Sequence, residues 1–239
     1  MKKLNDLLGY KHRKIYQDDK CFSFCLDSVL LANFIDIKKK DTNILDIGTG
    51  NGVIPLILSL KTSNKIVGVE IQKKLSNLAI ESVKYNRLEN QIDIINQDIK
   101  KFSVDKNNYY DIIACNPPYF VEKDNSKTKE SVEEVIARHE IKINLEEILK
   151  LSKKMLKNNG RLYLIHRVER FVEVVDLYKK YNIEPKRVRF IHNDKNSSAK
   201  LFLIEGTKNG NVGLKIDKPL IMFNEGVETE EYLKIIEGE

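Results

Sequence analysis

The chain has 239 residues, of which 41% are hydrophobic, enough for one sizeable α/β domain with appendages. No apolar stretch approaches the roughly eighteen residues of a membrane helix. The opening Met1-Lys2-Lys3-Leu4-Asn5-Asp6 has no apolar run behind it, so a secretory signal is not expected and a cytoplasmic location is. Three cysteines, Cys21, Cys25 and Cys115, form no paired framework, and no second Cys/His pair stands at a zinc-site spacing; all three read as small buried hydrophobes, with no metal expected. The formal net charge is +6, unevenly placed: residues 150–200 carry 14 Lys/Arg against 5 Asp/Glu, a local +9 on a remainder near −3. Such a segment suits a polyanion-binding face or a solvated Lys-rich surface.

In chain order, residues 14–24 mix aromatic and polar side chains and read as an extended arm. Asp27 is placed to cap a helix over residues 27–34. Residues 43–47 are a short apolar run ending in glycines, a buried parallel strand by type. A helix over 53–60, a strand over 65–70, a helix over about 73–85 and strands over 91–96 and 110–115 follow. A helix over about 145–156 has Asn159-Gly160 as its stop signal. Beyond it come a strand at 161–165, a helix at 167–180 and strands at 186–192 and 199–205. Alternating strands and helices predict a doubly wound, mostly parallel sheet. The link between the last two strands is too short for a helical crossover, so they should pair antiparallel. With no repeat, low-complexity tract or Pro/Gly-rich linker, one domain is expected over 1–239: arm and helix 1–35, core 36–206, tail 207–239.

Ligands in such sheets bind beyond the C-terminal strand ends. After the first core strand comes Asp46-Ile47-Gly48-Thr49-Gly50-Asn51-Gly52, whose alternate glycines let the backbone turn sharply near a ligand. It is not the dinucleotide fingerprint, because Val53 stands where the third glycine would fall. Glu70, 24 residues after Asp46 and at the end of the second strand, can accept two bonds from a ribose diol. Asp98, after the third, can accept from an adenine amino group. Asp46, Gly48, Gly50, Gly52, Glu70 and Asp98 are therefore the candidate nucleoside-cofactor residues.

Asn116-Pro117-Pro118-Tyr119 ends the fourth strand, where consecutive prolines cannot continue a ladder. Pro118 holds Pro117 extended and so fixes the direction of its carbonyl. Asn116 adds a side-chain acceptor and Tyr119 an aromatic face, the parts needed to bind and orient an amino group. Asn116, Pro117 and Tyr119 are the candidate catalytic residues.

These motifs resemble the amino-methyltransferase branch of class I methyltransferases. The likeness is closer to the bacterial tRNA1(Val) adenine-37 N6-methyltransferase family in its Gram-positive form. It covers nearly the whole chain, including Phe22-Ser23-Phe24-Cys25-Leu26-Asp27-Ser28-Val29-Leu30-Leu31-Ala32, Ala137-Arg138-His139-Glu140, Glu184-Pro185-Lys186-Arg187-Val188-Arg189-Phe190 and Pro219-Leu220-Ile221. The resemblance implies a Rossmann-like seven-stranded sheet with its last strand antiparallel. It also implies S-adenosylmethionine as donor and transfer to N6 of the adenosine just 3′ of a tRNA anticodon. Arg161, Arg167, Arg170, Lys186, Arg187 and Arg189 then become candidate contacts to the phosphates of the anticodon stem-loop, and Arg138 and His139 a substrate lid or a loop brace. His166 is assigned no role.

The core motifs are shared with enzymes that act on protein glutamine, rRNA guanine and DNA adenine, so an enzyme of the release-factor type is an alternative. A Rossmann dehydrogenase is disfavoured by the glycine spacing. A non-catalytic RNA-binding module is disfavoured by the intact Asn-Pro-Pro-Tyr.

Overall fold

The structure is a computed structural model that describes residues 2–10, 13–18, 26–119 and 144–238. Cys21, Cys25, Arg138 and His139, together with the Phe22–Cys25 and Ala137–Glu140 motifs, lie outside them. Its centre is built from the strands the apolar runs predict: β3 (Asn43–Ile47), β4 (Lys65–Glu70), β5 (Ile92–Asn96) and β6 (Tyr110–Cys115). Each is separated from the next by a helix that returns the chain over the sheet, namely α2 (Val53–Lys61), α3 (Lys73–Tyr85) and the one-turn α4 (Ile99–Phe102). Helix α2 is apolar on every side, with Val53 through Leu58 all buried, because it is wedged between α1 (Leu26–Phe34) and the sheet.

After α5 (Leu145–Met155) the chain continues through β7 (Leu156–Arg167), α6 (Phe171–Lys180), β8 (Ile183–Asp194) and β9 (Ala199–Lys208). The strand order β8-β9-β7-β6-β3-β4-β5 has β3 to β7 parallel and β9 antiparallel to both of its neighbours. This is the Rossmann-like order expected, with its antiparallel end. The sheet has ten strands rather than seven, because the tail adds β10 (Lys215–Ile216), β11 (Leu220–Asn224) and β12 (Val227–Glu228). β10 and β11 run parallel along β8 and cover what would be an open sheet edge. The closing helix α7 (Glu230–Glu237), capped by the Thr229 hydroxyl, packs against α1.

Three local readings change. Met155 ends α5 and Leu156 at once begins β7, while the pairing jumps from Tyr110↔Leu156 to Ile112↔Arg161. Asn159, at φ 61°, and Gly160 therefore mark a bulge in β7 rather than the helix stop, and Lys157 Nζ braces it on Asp111 at 2.8 and 2.9 Å. The helix expected from residue 167 starts as a 3-10 turn, Val168–Arg170. The arm is half of a hairpin: β2 (Lys14–Asp18) pairs antiparallel with β1 (Lys2–Asp6), and the Tyr16 amide donates to Ser82 Oγ on α3 at 2.9 Å.

The two sheet faces carry separate cores. Ile44, Ile66, Ile112, Tyr163 and Ile165 pack under α1 and α2; Leu45, Ile113, Cys115, Leu162 and Leu164 pack under α5 and α6. No helix among the described residues is long and apolar enough to cross a membrane.

Candidate active site

The register of three adjacent strands assembles the site. Ile47 pairs with Val69 on one side and Cys115 on the other. Gly48, Glu70 and Asn116 are the next residues of their strands, so all three sit at one height, about 5 Å apart from strand to strand. Glu70 pairs with Asn96, which puts Asp98 just beyond. Residues separated by up to 68 positions in the chain are thus brought to one edge, because β3 and β6 end on the rung of Val69, one residue before β4 ends.

The glycine turn leaves β3 with the Gly48 and Thr49 amides both donating to the Val69 carbonyl, at 2.9 and 3.1 Å. Gly48 and Gly50 have φ of 70° and 59°, and a Cβ at either would meet no atom within 4 Å. The backbone is therefore both left-handed and open to a close ligand. Glu70 is buried and spans the turn: one oxygen accepts from the Gly50 amide at 2.9 Å, the other from the Gln72 amide at 2.9 Å. Burial raises its pKa against those bonds.

Asp46 is 1% exposed, and neither of its carboxylate oxygens has a hydrogen-bond partner. Loss of hydration pushes its pKa up to about 7 against the Thr49 hydroxyl, which lies beside it without reaching hydrogen-bond geometry and favours the charged form, and the Glu70 charge adds to the rise. An unpartnered buried carboxylate is costly. With the open glycine turn above it and Glu70 beside it, it fits a ligand rich in hydroxyl and amino donors, such as a nucleoside. Asp98 caps α4 through Oδ1, which accepts from the Lys100 amide at 2.8 Å.

At the end of β6, Pro117 is buried while Asn116 and Tyr119 are half-buried. Asn116 Nδ2 donates to Ser28 Oγ at 3.0 Å. The Tyr119 hydroxyl lies 2.6 Å from Asp27 Oδ2 and 3.1 Å from Asn116 Oδ1. Asp27 is therefore not the helix cap expected: α1 begins one residue earlier, at Leu26, and the Asp27 carboxylate accepts from Tyr119 instead, a bond that sequence reading missed together with the role of Ser28. His166, at the end of β7, was also missed as a neighbour. Its ring centre lies 5.1 Å from that of Tyr119, and its Nδ1 accepts from the Arg167 amide at 2.8 Å. Burial lowers its pKa to about 4, so the imidazole is neutral at physiological pH.

The basic set divides. Arg161 is 4% exposed: its guanidinium pairs with Asp41 and donates to the Asp36 carbonyl at 2.9 Å and the Tyr163 hydroxyl at 2.8 Å. It is not a surface phosphate contact, because its charge is paired and three of its N–H donors are directed to partners inside. Arg187 is likewise turned inward, over the Phe34 ring at 4.1 Å and onto the Phe34 carbonyl at 2.6 Å, with Glu205 at 3.1 Å. Arg189 ties the Lys218 carbonyl and Glu231 on α7. Both are half-buried and pin helices to the sheet. Arg170 pairs with Glu173, and Lys186 reaches the Asn211 carbonyl at 3.0 Å. Arg167 is exposed, with its guanidinium 5.5 Å from the Tyr119 ring centre. Among the described residues no group of three or more His, Cys, Asp or Glu is placed to hold a metal, and Cys115 is a buried free thiol.

Residues 26–183 match the family described as methyltransferase small domain. Among curated proteins the chain is 31% identical over 194 residues to the tRNA1(Val) (adenine(37)-N6)-methyltransferase of Pedobacter heparinus, covering 81% of this chain and 80% of that one. The protein of the same name from Flavobacterium psychrophilum is 26% identical, with 97% and 98% covered. Among solved structures, a predicted O-methyltransferase of Agrobacterium tumefaciens superposes with a TM-score of 0.70 at 17% identity, over 89% of this chain and 96% of that one. TYW2 of P. horikoshii, solved with MeSAdo, superposes at 0.62 and 15%, over 87% and 72%. At such identities the structural likeness speaks for the fold.

Proposed function

The chain belongs to the methyltransferase small domain family and, through its curated relatives, to that of the tRNA1(Val) (adenine(37)-N6)-methyltransferases, and from this premise we propose that it methylates N6 of adenosine 37 in a tRNA. It is an S-adenosylmethionine-dependent methyltransferase. What supports the finer reading is one observation: Gly48, Glu70 and Asn116 each follow directly on the rung Val69–Ile47–Cys115 that joins three neighbouring strands. A nucleoside-binding edge and an amine-accepting group are then immediate neighbours.

In this reading the Gly48-to-Gly52 backbone and Asp46 would hold the cofactor, Glu70 would accept from its ribose hydroxyls and Asp98 from its adenine amino group. When bound, S-adenosylmethionine supplies a methyl group on positively charged sulfur, the electrophile that an amine needs. The N6 lone pair of adenine is delocalised into the ring and is a poor nucleophile. Asn116 Oδ1 and the Pro117 carbonyl each accept one N–H, which draws the nitrogen toward tetrahedral geometry and localises the pair. Tyr119 stacks on the base and fixes its plane. As the N–C bond forms, the methyl–sulfur bond would break to leave a neutral thioether, and the cationic nitrogen then sheds one proton to solvent, so positioning and electrostatics do the work with no general base required. A base in an anticodon loop is already unpaired, so turning it into the pocket costs little. Arg167, exposed beside Tyr119, is the cation best placed for the phosphate next to that base.

Transfer of labelled methyl to unmodified tRNA1(Val) transcripts tests the reading. The expected result is incorporation into the transcript and none into one carrying guanosine at position 37. Equal labelling of both, or labelling of a release factor in place of tRNA, would overturn it.

A further inference from the structure

Asn116 presents an amide with two unlike ends, and only the oxygen can accept an amine N–H. Its nitrogen is bound at 3.0 Å by Ser28 Oγ, which turns the oxygen the other way. There it meets the Tyr119 hydroxyl at 3.1 Å, a donor that competes with substrate for the same lone pairs. A phenol has one proton to give, and Asp27 Oδ2 stands closer, at 2.6 Å. Hydroxyl-to-carboxylate bonds of this length are charge-assisted and about twice as strong as neutral ones. The proton therefore goes to Asp27, and Asn116 Oδ1 keeps its accepting capacity.

Resting on the proposed amine chemistry, we infer that Asp27 and Ser28, adjacent on the first turn of α1, are positioning residues: Ser28 selects the orientation of the Asn116 amide, and Asp27 draws the Tyr119 proton away from it. Both act through the tetrapeptide without touching the reacting atoms. The cofactor edge at Gly48 to Gly52 and Glu70 involves neither. Their removal should appear in turnover and leave cofactor affinity alone.

The test is a double-mutant comparison of the full chain on tRNA, at saturating cofactor, with thermal unfolding run alongside. Asp27→Ala is expected to lower kcat roughly tenfold, the worth of about one hydrogen bond, with the Kd for S-adenosylhomocysteine unchanged. In a Tyr119→Phe background the same Asp27→Ala change is expected to cost almost nothing, because the competing hydroxyl is gone. A general weakening of α1 would cost the same in both backgrounds, so equal losses, or no loss in either, overturn the inference. Ser28→Ala should lower kcat severalfold and Ser28→Thr should recover it; failure of Thr to recover what Ala loses overturns the Ser28 half. If the wild type methylates an amine other than tRNA, it is the substrate reading that fails, and the same comparison on that amine decides the inference.

Discussion

Two clusters of buried charge lie in one sheet and are built in opposite ways. Beneath the glycine turn, Asp46 is buried with both oxygens unpartnered, and Glu70 beside it is met by backbone amides. Under α1, Arg161 is almost as deeply buried, yet Asp41, the Asp36 carbonyl and the Tyr163 hydroxyl all meet its guanidinium. The first cluster leaves a carboxylate without a partner, and the second pairs its charge and directs three donors to partners. The first arrangement marks a place for a ligand; the second marks scaffold.

The contrast is sharpest where each cluster is broken. Arg161→Ala strands Asp41 in the interior, and loss of one partner of a buried pair costs about 3–5 kcal/mol. A large fall in Tm is expected, while the folded fraction keeps its affinity for tRNA; a stable variant with weakened RNA binding would return Arg161 to the surface set. Asn116→Ala should leave Tm and cofactor affinity near wild type and lower kcat roughly a hundredfold. Glu70→Ala should do the reverse, loosening S-adenosylhomocysteine in calorimetry well before turnover at saturating cofactor suffers.

Asp46 gives a subtler break. Its folded pKa of about 7 lies above the unfolded value near 4, so the folded state holds a proton that the unfolded state has lost. Between pH about 4 and 7 the ligand-free protein should therefore lose stability as pH rises. Asp46→Asn should flatten that decline, read as Tm at pH 5.5 and 7.5 beside wild type. Parallel profiles for the two proteins would mean Asp46 is already ionised in the fold. The smallest effect is expected at the rim: Arg167→Glu should raise the KM for tRNA severalfold and reduce the salt slope by about one, with cofactor binding untouched.

The same contrast separates what was legible in the chain from what was not. The glycine turn, Glu70 and the tetrapeptide are local strings at the ends of apolar runs, and a parallel sheet brings strand ends together without further instruction. The arginines could not be sorted that way. Asp41 is 120 positions from Arg161, Phe34 is 153 from Arg187 and Glu231 is 42 from Arg189. A count of charge in a window sees the cations and none of these partners. Asp27 and Ser28 were hidden for the same reason, since the groups they bind lie 92 and 88 positions on. The bulge at Asn159-Gly160 resembled a helix stop because a left-handed residue followed by glycine serves both purposes.

The central claim, an amine held between Asn116 Oδ1 and the Pro117 carbonyl beside the glycine turn, is tested most directly by the identity of the product. Purified protein, S-adenosylmethionine and unmodified tRNA1(Val) transcript would be incubated, and the RNA digested to nucleosides and separated by mass spectrometry against standards. The account predicts N6-methyladenosine. A methyl group on a ring nitrogen or ring carbon, or on a ribose oxygen, would contradict it, because none of those atoms carries the pair of N–H bonds that these two acceptors are set to receive.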